Sequence, residues 1–80
     1  MYVNKDSKLR KIISDNIKYY REQAGISQEE LSKKIGKIEH FIKKYETGEY
    51  QRSIDIDSLD KIAKVLNVPI VNFMSERKDK

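Results

Sequence analysis

Backbone punctuation constrains this chain more than any other feature. Its 80 residues hold three glycines, Gly25, Gly36 and Gly48, and a single proline, Pro69. These cut the sequence into helix-sized blocks, and the apolar residues within them recur at helical spacing rather than alternating. The first block carries Leu9, Ile12, Ile13, Ile17 and Tyr20, with Asp6 or Ser7 available as its cap and Gly25 as its stop. The second opens with Ser27-Gln28-Glu29-Glu30, in which Ser27 and Glu30 form a capping box, each side chain able to satisfy a free backbone N–H of the other. Leu31 and Ile35 give that helix its apolar face, and Gly36 can take the left-handed conformation that ends it. Ile38, Phe41, Ile42 and Tyr45 follow at i, i+3, i+4 and i+7, closed by Gly48. A fourth helix starts from Asp55, lines one face with Ile56, Leu59, Ile62, Ala63 and Leu66, and stops at Asn67. The last is short, with Pro69 in its first turn and Val68, Ile70, Phe73 and Met74 as apolar contacts. The expected architecture is all-α: one domain over residues 1–80, its core spanning about 7–74, with five helices around a shared interior.

Composition narrows the function. Eighty residues leave no room for a separate sensor or catalytic domain. With no cysteine, neither a disulfide nor a cysteine-based zinc site can staple the fold, and the one histidine, His40, cannot make a metal site alone, so no cofactor is expected. An enzyme fails on chemistry, because paired carboxylates in an apolar setting and a phosphate-cradling glycine loop are both missing. No apolar run reaches bilayer length and residues 1–6 lack the apolar stretch of a signal peptide; a cytoplasmic location is expected. The formal charge of +4 is unevenly spread: residues 1–21 carry six basic and two acidic side chains, 22–32 three acidic and no basic, 33–52 six basic and three acidic, and 53–80 five of each. The positive excess sits in the first helix and mid-chain, which favours an anionic partner.

Two short helices joined by a tight turn at a glycine make a helix-turn-helix, whose second helix can lie in the major groove of DNA. Here that helix would run from about Ile38 to Thr47, with Ile38, Ile42 and Tyr45 facing the core and Glu39, His40, Lys43 and Lys44 facing outward. Lys37 in the turn, and Tyr50, Gln51 and Arg52 in the loop after the helix, are placed to touch the DNA backbone.

The runs GISQEELSKKIG, IEHFIKKYETG and SLDKIAKVLNV, in that order, resemble the lambda-repressor-like (Cro/repressor) helix-turn-helix family over roughly Ile13 to Met74. The resemblance implies a phosphate contact for Gln28, base-reading positions for Glu39 and His40, and a packing role on the sugar-phosphate edge for Phe41. It puts Lys43 and Lys44 on the groove side, one toward bases and one toward backbone, and makes Arg21 and Glu46 an internal salt bridge between the first and third helices. Three departures stand out. Ile38 replaces the small hydroxyl residue that usually caps the third helix, and Lys37 replaces an apolar residue, which allows the helix start to shift. Glu39 is acidic where Gln or Arg is common; as an acceptor it can pair only with a donor such as cytosine N4–H₂. The Glu49 to Ile54 loop is about two residues longer than usual and lacks its proline.

The expected function is sequence-specific binding of double-stranded DNA by a homodimer that regulates transcription, as a repressor on an inverted repeat. Val71 falls where the last helix would show a polar residue; with Phe73 and Met74 it would extend an apolar patch suited to a dimer interface. The competing expectation is a protein-interaction module, such as an antitoxin whose main partner is a toxin and whose DNA binding is secondary.

Overall fold

The computed structural model describes residues 8–48 and 54–77. They form four α-helices, α1 Lys8–Gln23, α2 Gln28–Lys34, α3 Phe41–Thr47 and α4 Ile56–Leu66, and then a 3-10 turn, Ile70–Met74, with no strand among the described residues. The helix ends follow local chemistry. Ser27 Oγ accepts from the Glu30 N–H at 3.0 Å at the start of α2, and the Asp55 carboxylate accepts from both the Ser58 N–H and its hydroxyl at the start of α4. At the end of α4 Asn67 takes a left-handed φ of 60°, and the chain closes with Asn67 N–H to Lys64 O and Val68 N–H to Ala63 O. An asparagine tolerates this conformation better than most residues, so the stop works without glycine.

The interior is one cluster: Ile13 and Ile17 from α1, Leu31 and Ile35 from α2, Ile42 and Tyr45 from α3, Leu59, Ile62, Ala63 and Leu66 from α4, and Phe73. Three side chains of the expected apolar helix stripes lie outside, Leu9 among them at 36% exposed. Ile38 is 65% exposed and Ile56 is 61% exposed. The inward stripe of α4 therefore begins at Ser58 and Leu59, one turn later than the apolar spacing suggests. A 3-10 turn takes the place of the fifth helix. Pro69 fixes φ at −58° just before it, and the Asn72 N–H bonds back to the Pro69 carbonyl at 2.9 Å.

That turn is held by a residue the sequence pattern does not single out. Asn16, on α1 and fully buried, donates its side-chain amide to the carbonyls of Phe73 (2.8 Å), Ser75 (2.9 Å) and Asn72 (3.2 Å). Its carbonyl oxygen accepts from Arg77, whose guanidinium lies 4.0 Å from the Tyr19 ring centroid. A buried amide that satisfies several orphan carbonyls fixes their position as well as their energy. Phe73 is thereby seated against Tyr20, edge to face at 5.3 Å. Arg10 is also buried, its guanidinium 4.7 Å from the Tyr45 ring centroid. Burial pushes the Tyr45 hydroxyl pKa up, with the Arg10 charge acting against it.

Candidate nucleic-acid interface

The turn between α2 and α3 is built from backbone hydrogen bonds. Gly36 N–H bonds to Lys33 O and Lys37 N–H to Ser32 O, both at 3.0 Å, around Gly36 at φ 74°. This paired closure needs a left-handed residue at its centre, which glycine adopts without steric cost. It ends α2, and the chain reaches the start of α3 at Phe41 after residues 35–40.

How α3 begins departs from the expected start near Ile38. With no side-chain oxygen at position 38, no hydroxyl stands there to cap the helix, and residues 38–40 form a turn closed by Phe41 N–H to Ile38 O at 3.1 Å. His40 occupies the cap position at φ 71° and makes no side-chain capping hydrogen bond. The cap comes instead from α2. Ser32, buried, accepts from the Ile42 N–H at 3.0 Å and donates to the Gln28 carbonyl at 3.0 Å. One hydroxyl thus satisfies an orphan donor of α3 and locks the helix pair together.

A second lock joins α1 to α3. Arg21 donates through Nε to Glu46 Oε2 at 2.7 Å and through Nη2 to Oε1 at 3.0 Å, a two-pronged pairing in which the side chains are only 9% and 3% exposed. Arg21 Nη1 also donates to the Ile26 carbonyl at 2.8 Å. Gln28 donates its side-chain amide to Glu46 Oε1 at 2.9 Å. Its amide nitrogen is thus occupied within the fold, and a phosphate would have to compete with Glu46 for it.

On the outer side Lys43 is exposed and Lys44 half-buried on α3, while Lys37 and Glu39 are exposed in the turn. Glu39 and His40 therefore precede the helix rather than leading it. The Lys37 ammonium lies 5.4 Å from the ring centroid of Phe41, which is half-buried. The Asp55 carboxyl pKa is held below its ordinary value, first by the Ser58 hydroxyl and more weakly by the Ser58 amide and the Lys37 charge, with burial opposing. Lys37 thus sits within electrostatic reach of the α4 start. His40 lies between two carboxylates, its Nδ1 3.7 Å from Glu29 and its Nε2 3.9 Å from Glu39. Ligand-type atoms of Glu29, Glu39 and His40 all fall within 4.8 Å of one another. Glu29 and Glu39 are both solvated surface groups. Arg52, with Tyr50 and Gln51, lies outside the described residues.

At the opposite end of the chain Val71 and Met74 are exposed, at 61% and 38%. Phe73 is not part of that surface: it is sealed in the core at 0% exposure, so the apolar patch expected from Val71, Phe73 and Met74 reduces to Val71 and Met74. Among the described residues no helix is long and apolar enough to cross a membrane.

The fold recurs in solved structures. A hypothetical transcription factor from Neisseria, NHTF, superposes with a TM-score of 0.80 at 24% identity, over 89% of this chain and 79% of that one. The DNA-binding N-terminal domain of SinR from Bacillus subtilis superposes with a TM-score of 0.74 at 28% identity, over 86% of this chain and 99% of that one. SinR, described as the master regulator for biofilm formation and seen in complex with DNA, gives a TM-score of 0.71 at 28% identity, over 79% of this chain and 98% of that one. No curated protein matches the sequence. The family model for Helix-turn-helix domains matches residues 17–73, from the middle of α1 through Phe73. The chain belongs to the helix-turn-helix family, of the Cro-and-repressor type.

Proposed function

We propose that this chain is a sequence-specific, double-stranded DNA-binding transcription regulator, a repressor that acts as a homodimer on an inverted-repeat operator. The observation that carries the reading is the pairing of α2 and α3 through Ser32 and Gly36, with Lys43 and Lys44 on the outer side of the second helix. A helix presented in this way enters the major groove with its leading end toward base edges. The likeness to SinR in complex with DNA supports it.

In this reading Glu39, His40, Lys43 and Lys44 form the groove side, with Lys44 turned toward the backbone, and Gln28, Lys37, Phe41 and Arg52 hold the phosphates. Lys37, Lys44 and Arg52 contribute mainly affinity and salt dependence through counterion release, while Glu39, His40 and Lys43 contribute choice of sequence. Val71 and Met74 meet a second copy. Two reading helices related by a two-fold axis require half-sites about 10 base pairs apart.

The test starts with selection of duplexes from a random-sequence library by the full chain. An inverted repeat with that spacing is expected. Lys44→Ala should then weaken binding to selected and unrelated duplexes alike and make the salt slope shallower by about one unit. Glu39→Ala removes a negative charge beside phosphates, so binding to unrelated DNA should tighten while preference at one base position relaxes. Selection of no sequence at all would overturn the reading and leave the protein-interaction role in its place.

A further inference from the structure

We infer that Ile38 is a specificity-determining residue that reads the 5-methyl group of a thymine in the major groove; the inference rests on the DNA-binding reading above. Among the described residues Ile38 is the most exposed large apolar side chain, at 65%. Its sequence spacing to Ile42 and Tyr45 would turn it inward if α3 began one turn earlier. The fold prevents this. Gly36 and Lys37 close the end of α2, the Phe41 N–H closes a turn on the Ile38 carbonyl, and His40 adopts a left-handed φ of 71°. Residues 38–40 are therefore not helical, and Ile38 falls out of the inward stripe that Ile42 and Tyr45 continue.

The position of this apolar side chain gives it a specific complement. It lies in the segment leading into the reading helix, between the exposed charged side chains Lys37 and Glu39. Base edges in the major groove present donors and acceptors, and thymine alone adds an apolar group, its methyl. An isoleucine at this edge offers no hydrogen bond to any base, so its discrimination comes from contact with that methyl. Lys37 and Glu39 on either side are exposed, so they can meet a phosphate and a donor edge while Ile38 fills the apolar gap between them.

The probe is a duplex selected from the random-sequence library, resynthesised with deoxyuridine in place of each thymidine in turn. Uracil keeps thymine's hydrogen-bonding edge and lacks only the methyl. One thymine per half-site should be found at which uracil weakens wild-type binding by about fourfold, the worth of one buried methyl-sized group. Ile38→Ala should show a comparable loss on the thymine duplex and no further loss on the uracil duplex, with the salt slope unchanged because no charge is altered. A melting curve superposing on wild type establishes that this exposed substitution leaves the fold intact. If uracil is neutral at every position, or if Ile38→Ala keeps the full uracil penalty, Ile38 does not read a methyl, although the DNA-binding reading stands. If wild type selects no duplex, both readings fall together.

Discussion

Glu46→Gln isolates one interaction with almost no change of shape. The Glu46 carboxylate takes two hydrogen bonds from Arg21, at 2.7 and 3.0 Å, and a third from Gln28 at 2.9 Å. Glutamine fills the same volume, so no cavity opens. It can present only one oxygen, and its NH₂ group must face either Arg21 Nε or both Arg21 Nη2 and the Gln28 amide, donor against donor. The Arg21 charge then stays buried with a single neutral hydrogen bond to the glutamine oxygen, the Ile26 carbonyl at 2.8 Å and the Glu22 carboxylate at 3.8 Å as its remaining partners, and Glu22 is more than half exposed. Stranding one partner of a buried pair costs about 3–5 kcal/mol, and the contacts Arg21 keeps place this case near 3. In a domain of this size each kcal/mol moves the melting temperature by about 4–8 °C, so a drop of roughly 15 °C is expected in a thermal melt followed by circular dichroism. The urea midpoint should fall with its slope unchanged. Replacing both partners by apolar residues, Arg21→Met with Glu46→Leu, should recover most of the loss, because neither charge is then stranded. A Glu46→Gln melting temperature within about 3 °C of wild type would refute the argument, since that corresponds to less than 1 kcal/mol.

The other predictions concern how the helices begin. Ser32→Ala removes the acceptor of the buried Ile42 N–H, so a loss of about 1–3 kcal/mol is expected from urea denaturation, together with faster hydrogen exchange at the Ile42 amide; unchanged exchange there would show that another group caps α3. His40→Gly should raise stability by about 0.5–1 kcal/mol by relieving the left-handed backbone, whereas His40→Val should lower it, because a β-branched residue tolerates that conformation poorly; equal melting temperatures for the two variants would contradict a positive φ at this position. Asp55→Ala should cost about 1 kcal/mol near neutral pH as a lost helix cap. Because the folded pKa of Asp55 lies below its unfolded value, the stabilisation its charge provides is present above the unfolded pKa and fades as pH falls through the folded one. The stability gap between wild type and Asp55→Ala should therefore narrow below pH of about 4, and a gap independent of pH would count against the charged cap.

What can be read from the sequence about this protein is what near neighbours decide. Ser27 and Asp55 cap helices through amides three residues away, so their roles show in the residue order alone. Gly36 and Asn67 end helices for the same local reason, and the inward positions of Ile13 and Ile17 on α1, of Leu31 and Ile35, and of the later turns of α4 follow from helical spacing, whereas Leu9 lies outside and Arg10 inside. The Arg21 and Glu46 positions came from family resemblance, since nothing local links residues 25 apart in sequence.

Tertiary structure decided the rest. Apolar periodicity marks which side chains would share a face once a helix exists, but it does not say where the helix starts. That depends on where the first free N–H groups find acceptors. With isoleucine at position 38, the Ile42 N–H found its acceptor in Ser32, ten residues back on another helix, and α3 begins at Phe41. The same selection put Ile38 in solvent and moved Glu39 and His40 from the helix into the turn before it. Asn16 reaches carbonyls 56 to 59 residues away, so neither its burial nor its hold on the 3-10 turn leaves any periodic trace. Phe73 lies in the core beside that hold, and its neighbours Val71 and Met74 lie outside. These are contacts between groups brought together only by the packing of several helices, and a linear pattern carries no term for them.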